Sequence, residues 1–112
     1  MNTVPILGIP VAQTTKSEFV PHVLNELLHT EHAITIVTAN PEIIMLAKEN
    51  HNYERLLKAS SYVVADGIGV VIGAKMLGTP IAERIPGYEL VHEFMNTAAP
   101  GHNRFFFYGA KP

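Results

Sequence analysis

Two short apolar runs, Ala33–Thr38 (AITIVT) and Ser61–Ala65 (SYVVA), each lead through a polar residue into a helix start, and this repeat governs what the chain can fold into. Both runs are rich in β-branched side chains and apolar on both alternations, as strands covered on two faces are. Strand and helix in alternation build a sheet of mostly parallel strands flanked by helices. The expected fold class is therefore α/β, with a Rossmann-like, mostly parallel sheet. After the first run, Asn40 suits the N-cap, Pro41 the first helical position and Glu42 the positive end of the helix dipole. That helix is expected to reach about Asn50, with Ile43, Ile44, Leu46 and Ala47 inward, and a second short one spans Tyr53–Ala59. After the second run, Val70–Leu77 reads as helix, stopped by Gly78-Thr79-Pro80.

The flanks carry the same alternation. Val4–Val11 is a candidate first strand, which Pro5 and Pro10 confine to an edge or an irregular position. Phe19, Val23, Leu24, Leu27 and Leu28 share one face of a helix over Glu18–His29. Pro21 lacks a backbone donor and is expected to delay the start of that helix. Leu90, Val91, Phe94, Met95 and Ala98 mark one more helix, ended by Pro100-Gly101, and Arg104–Tyr108 (RFFFY) reads as a strand before a glycine turn. A buried parallel strand normally feeds a crossover helix. Residues 1–112 are thus expected to be the N-terminal part of a single domain, truncated after the strand Arg104–Tyr108.

Composition removes several classes of function. With 112 residues, 47% of them hydrophobic and 16% charged, there is material for a core and no sign of disorder. The formal net charge is −2 and the eight Lys and Arg residues are scattered, which argues against a nucleic-acid partner. The lack of cysteine excludes a disulfide scaffold, a thiolate zinc site and a cysteine nucleophile. Met1–Ala12 has no basic residue to open a secretory signal. The most apolar stretch, Ser61–Gly78, contains Asp66, Lys75 and four glycines, so it does not read as a membrane span. A cytoplasmic chain is expected.

In open parallel sheets, ligands bind in the crevice beyond the carboxyl ends of the strands. Thr38 and Asn40 stand at one such end and Asp66, the only aspartate, at another. If the two strands are neighbours, these side chains converge. A carboxylate there can take a proton from a hydroxyl while Thr and Asn orient neutral polar groups. The plainer reading is that Asn40 and Asp66 cap the helices that follow, although Gly67 after Asp66 would let a ligand approach the backbone closely. Arg84, in the loop Glu83-Arg84-Ile85-Pro86-Gly87, could grip a phosphate or carboxylate, or form a surface salt bridge with Glu83 or Glu89. The run Gly67-Ile68-Gly69 with Gly73 invites a dinucleotide-binding reading, but its spacing departs from G-x-G-x-x-G and an acid precedes it. A single aspartate also means that no Asp-x-Asp pair exists to hold a divalent ion on a diphosphate. His29-x-x-His32 lies at a polar connection with no third ligand in reach, and no metal site is expected.

Taken together, Thr38-Ala39-Asn40-Pro41-Glu42, Ala65-Asp66-Gly67-Ile68-Gly69-Val70 and Glu83-Arg84-Ile85-Pro86-Gly87 with Leu90 resemble the WecG/TagA/CpsF glycosyltransferases. The resemblance runs from Ile6-Leu7-Gly8 to Phe106-Phe107-Tyr108-Gly109, and Glu89 stands where many members carry Asp. It implies an inverting, metal-independent transfer of a sugar, N-acetylmannosamine in the nearest-looking members, from a UDP donor to undecaprenyl-diphosphate-linked N-acetylglucosamine in teichoic acid or surface polysaccharide synthesis. It further implies that Asp66 is the base and that Thr38, Asn40, Gly67 and Gly87 line the substrate pocket. Arg84 would stabilise the departing diphosphate, and no cofactor would be needed. By the same resemblance a later segment, beyond Pro112, meets the inner face of the cell membrane, and a homo-oligomer is compatible with it. An NAD(P)-dependent oxidoreductase and a non-catalytic binding module are the competing readings.

Overall fold

The computed structural model describes residues 1–78, 80–97, 106 and 108. Of the expected strand Arg104–Tyr108, only Phe106 and Tyr108 fall within them. The elements in chain order are β1 (Thr3–Ile6), β2 (Ile9–Ala12), α1 (Lys16–His29), β3 (Ile36–Ala39), α2 (Pro41–Glu49), α3 (His51–Ala59), β4 (Tyr62–Ala65), α4 (Ile68–Met76) and α5 (Gly87–Thr97). The α/β class is as expected. The expected Rossmann-like, mostly parallel sheet is not seen among the described residues, which form two separate two-stranded sheets, the parallel pair β3–β4 and the antiparallel pair β1–β2.

The single first strand expected over Val4–Val11 is in fact this hairpin. Its two-residue turn, Leu7-Gly8, has positive φ at both positions (49° and 85°), as a type I′ turn requires. The register pairs Ile6 with Ile9 and Pro5 with Pro10. In such a hairpin the pair flanking the turn exchanges hydrogen bonds and the next pair does not. The two prolines therefore sacrifice no β1–β2 bond. Their missing N–H groups fall on the outer edges, which keeps the hairpin a separate sheet although β2 packs beside β4.

Helix α1 also corrects an expectation, because it starts at Lys16 and carries Pro21 inside. The start is fixed by Thr15, whose hydroxyl accepts the Glu18 N–H. Proline at position 21 leaves the Ser17 carbonyl without its helical donor, but Ser17 is exposed and water can replace it.

Alternation along the parallel pair divides the core in two. Val63 and Ala65 of β4 and Ala39 of β3 pack with Ile44, Leu57 and Val70 from the layer of α2, α3 and α4. Tyr62 and Val64 face the other way, onto Phe19, Val20 and Val23 of α1 and Leu90 of α5. Leu46, expected inward, is 45% exposed. Within α2 the inward positions are Ile44 and Ala47, three apart, and Leu46 falls on the opposite side. Outside the first core, the hairpin turn, α2 and α4 border an apolar groove of about 310 Å³ whose lining includes Leu7, Ile44, Met45, Val70, Met76 and Leu77.

Candidate active site

The crevice is built by the in-register end of the parallel pair. Thr38 lies opposite Val64 and Ala39 opposite Ala65, and the Asp66 N–H donates to the Ala39 carbonyl at 2.9 Å. Asn40 and Asp66 consequently leave adjacent strands at the same level, as their sequence positions require if the strands are neighbours. Each then opens a helix, so the N-termini of α2 and α4 stand side by side. Their approach is close: a Cβ on Gly69 would come within 3.0 Å of Pro41 Cγ.

The two polar residues are used differently. Asn40 is a true N-cap, its Oδ1 accepting the Ile43 N–H at 2.9 Å. Its Nδ2 makes no hydrogen bond among the described residues. Asp66 caps nothing: Gly67 occupies the cap position of α4, with no side-chain cap bond, and no bond among the described residues engages the Asp66 carboxylate. Gly67 has φ 108°, a backbone that L side chains rarely adopt, so the chain turns sharply away beneath the half-buried acid.

The third motif closes one side. Ile85 donates its N–H to the Ala65 carbonyl, which stitches the loop alongside the end of β4. Ile81, Ile85 and Pro86 are buried and Arg84 is exposed. Gly87, the first residue of α5, lies against Thr38: a Cβ there would stand 3.2 Å from Thr38 Oγ1. Thr38 belongs to the same face of the sheet as Ile36, which packs with α1 and α5, and this explains the contact.

Arg84 does not form the surface salt bridge weighed for it. Among the described residues the ion pair is Lys58–Glu54, and the Glu83 carboxylate is occupied by the Lys16 backbone N–H at 3.2 Å. The bond of Glu83 to Lys16 was not legible in the sequence, because the two lie 67 positions apart and the donor is a main-chain N–H. The structure thus brings Thr38, Asn40, Asp66, Gly67 and Gly87 to the carboxyl end of the parallel pair, with the backbone of Arg84 beside them. His29, by contrast, turns its Nδ1 onto the Asn25 carbonyl at 2.8 Å, at the end of α1.

Polar groups and an acid thus stand together at the strand ends of an α/β scaffold, the position at which open parallel sheets commonly bind ligands. The model of the glycosyl transferase WecG/TagA/CpsF family matches residues 4–112, and the chain belongs to that family. It is 38% identical over 110 residues to an N-acetylglucosaminyldiphosphoundecaprenol N-acetyl-beta-D-mannosaminyltransferase of Bacillus spizizenii, covering 98% of this chain and 43% of the relative. The enzyme of the same name from Staphylococcus aureus is 39% identical over 108 residues, covering 96% of this chain and 42% of that one. The chain spans about two fifths of the length of these curated relatives.

Proposed function

We propose that this protein transfers N-acetylmannosamine from a UDP donor to undecaprenyl-diphosphate-linked N-acetylglucosamine, with inversion and without a metal ion, at the inner face of the cell membrane. The observation that carries this reading is the Asp66 carboxylate, placed beside Asn40 at the end of the parallel pair and engaged by no cap. The names of the relatives supply the sugar and the acceptor. The acceptor hydroxyl oxygen attacks C1 of the donor sugar from the face opposite UDP, and its proton passes to Asp66. The C1–O bond to UDP breaks and its electron pair moves onto the diphosphate, where the Arg84 guanidinium balances the charge. Thr38 Oγ1 and Asn40 Nδ2 hold the sugar, and Gly67 and Gly87 keep the walls low enough for it to enter. The absence of an Asp-x-Asp pair supports the metal-independent form of the reaction. The parallel pair is read as the start of a larger Rossmann-like sheet.

No helix among the described residues is long and apolar enough to cross a membrane, and the lipid-linked acceptor supports a peripheral position. The test is mass spectrometry of products formed from a panel of UDP-sugars and a short-chain lipid-diphosphate acceptor. A disaccharide from UDP-N-acetylmannosamine is the expected product. No product with any donor, or tight binding of NAD(P) in place of UDP-sugar, would sink the assignment.

A further inference from the structure

We propose that Glu83 is a positioning residue, which pins Arg84 at the border of the crevice and leaves its guanidinium to an anionic ligand. The inference rests on the proposed reaction, in which that ligand is the diphosphate of the donor.

A carboxylate next to an arginine in an exposed loop would ordinarily compete for the guanidinium. Here it is held elsewhere. Glu83 Oε1 accepts the N–H of Lys16, the first residue of α1. That N–H is one of the donors with no intrahelical partner, at the end of a 14-residue helix that favours negative charge. The carboxylate therefore has a good reason to stay where it is.

The other side of Arg84 is tied as well, because Ile85 donates its N–H to the Ala65 carbonyl. Arg84 hangs between two tethers, one to the start of α1 and one to the end of β4, directly before Asp66. Buried Ile81, Ile85 and Pro86 anchor the strap beneath it, and Gln13 Nε2 donates to the Pro80 carbonyl at 3.2 Å further back. One tether is the Glu83 side chain and the other the Ile85 backbone, and between them the side chain of residue 84 is the moving part. A loop tethered this way has less main-chain freedom to lose when Arg84 meets a diphosphate, and Arg84 forms no ion pair with Glu83 among the described residues.

The experiment compares Glu83→Ala, Glu83→Gln, Arg84→Ala and the Glu83→Ala/Arg84→Ala double variant of the whole protein, measuring donor kcat/KM and Tm. Glu83→Ala should lower kcat/KM about tenfold while Tm moves by less than about 3 °C. Glu83→Gln keeps an oxygen for the Lys16 N–H and should restore activity to within about threefold of wild type. In the Arg84→Ala background, Glu83→Ala should add nothing, since its effect passes through Arg84. Full additivity, or a wild-type Glu83→Ala enzyme beside an impaired Arg84→Ala one, overturns the inference and leaves the reaction standing. Arg84→Ala with wild-type activity overturns both the charge role of Arg84 and this inference, and the Asp66 base is then judged by its own variant.

Discussion

Asp66 and Asn40 leave neighbouring strands at the same level, yet one is a cap and the other is not. The difference lies one residue downstream. Proline after Asn40 fixes a helical φ and makes Asn40 the last non-helical residue, so its amide oxygen turns back onto Ile43. Glycine after Asp66 takes the cap position itself at φ 108° and sets the acid one step outside the helix. The capping role of Asn40 was legible in the local string Asn-Pro-Glu. That Asp66 escapes it depends on a glycine conformation that the string permits but does not dictate. Asp66→Asn is nearly isosteric and removes only the basic oxygen. It should cut kcat by about 10²–10⁴-fold with Tm and donor KM little changed, as measured by steady-state product formation and thermal melting.

The start of α2 was the most legible element boundary, because a cap acts within four residues, and Asn40 accepts from the N–H three positions on at 2.9 Å. Asn50 caps α3 in the same way at 3.1 Å, although that helix was expected only from Tyr53. Thr15 does the same at 3.3 Å, but the proline six residues later obscured it. Thr15→Ala should cost about 1 kcal/mol, read as a lower urea midpoint with an unchanged slope. The hairpin was illegible for a different reason. A type I′ turn is advertised by Asn-Gly, and here Leu7 occupies the left-handed position at φ 49°. The prolines do lie on edge strands, as expected, and they are harmless because the register places them opposite each other. Pairing register is a property of two strands together, and no window along one of them contains it.

On the scale of the whole molecule, the parallel pair carries the crevice at one end and a polar brace at the other. Tyr62 starts β4, stacks edge-on against Phe19 with ring centroids 5.3 Å apart, and donates its hydroxyl to the Glu26 carboxylate at 2.8 Å. His22 Nε2 lies 3.2 Å from the same hydroxyl. Burial, then the hydrogen bond to Glu26 and its negative charge, hold the Tyr62 phenol above its usual value. A raised folded value means that the native state keeps this proton longer than the unfolded chain. The brace therefore contributes fully below about pH 10, where a free tyrosine stays neutral, and fades as pH climbs through the folded value. Urea midpoints at pH 8 and pH 11 should show that alkaline loss, and Tyr62→Phe should lack this component of it. The partition of helices between two cores, by contrast, followed from β4 alternation that the sequence displays only as an unbroken apolar run.

The groove between the hairpin turn, α2 and α4 has a chemical corollary. Met45 and Met76 border it and are 46% and 83% exposed, whereas Met1 and Met95 lie outside its lining, at 48% and 45%. Thioethers open to solvent are oxidised to sulfoxides by mild peroxide. The four methionines thus form a built-in footprint: anything that settles over the groove slows oxidation at Met45 and Met76, while Met1 and Met95 keep time as the reference.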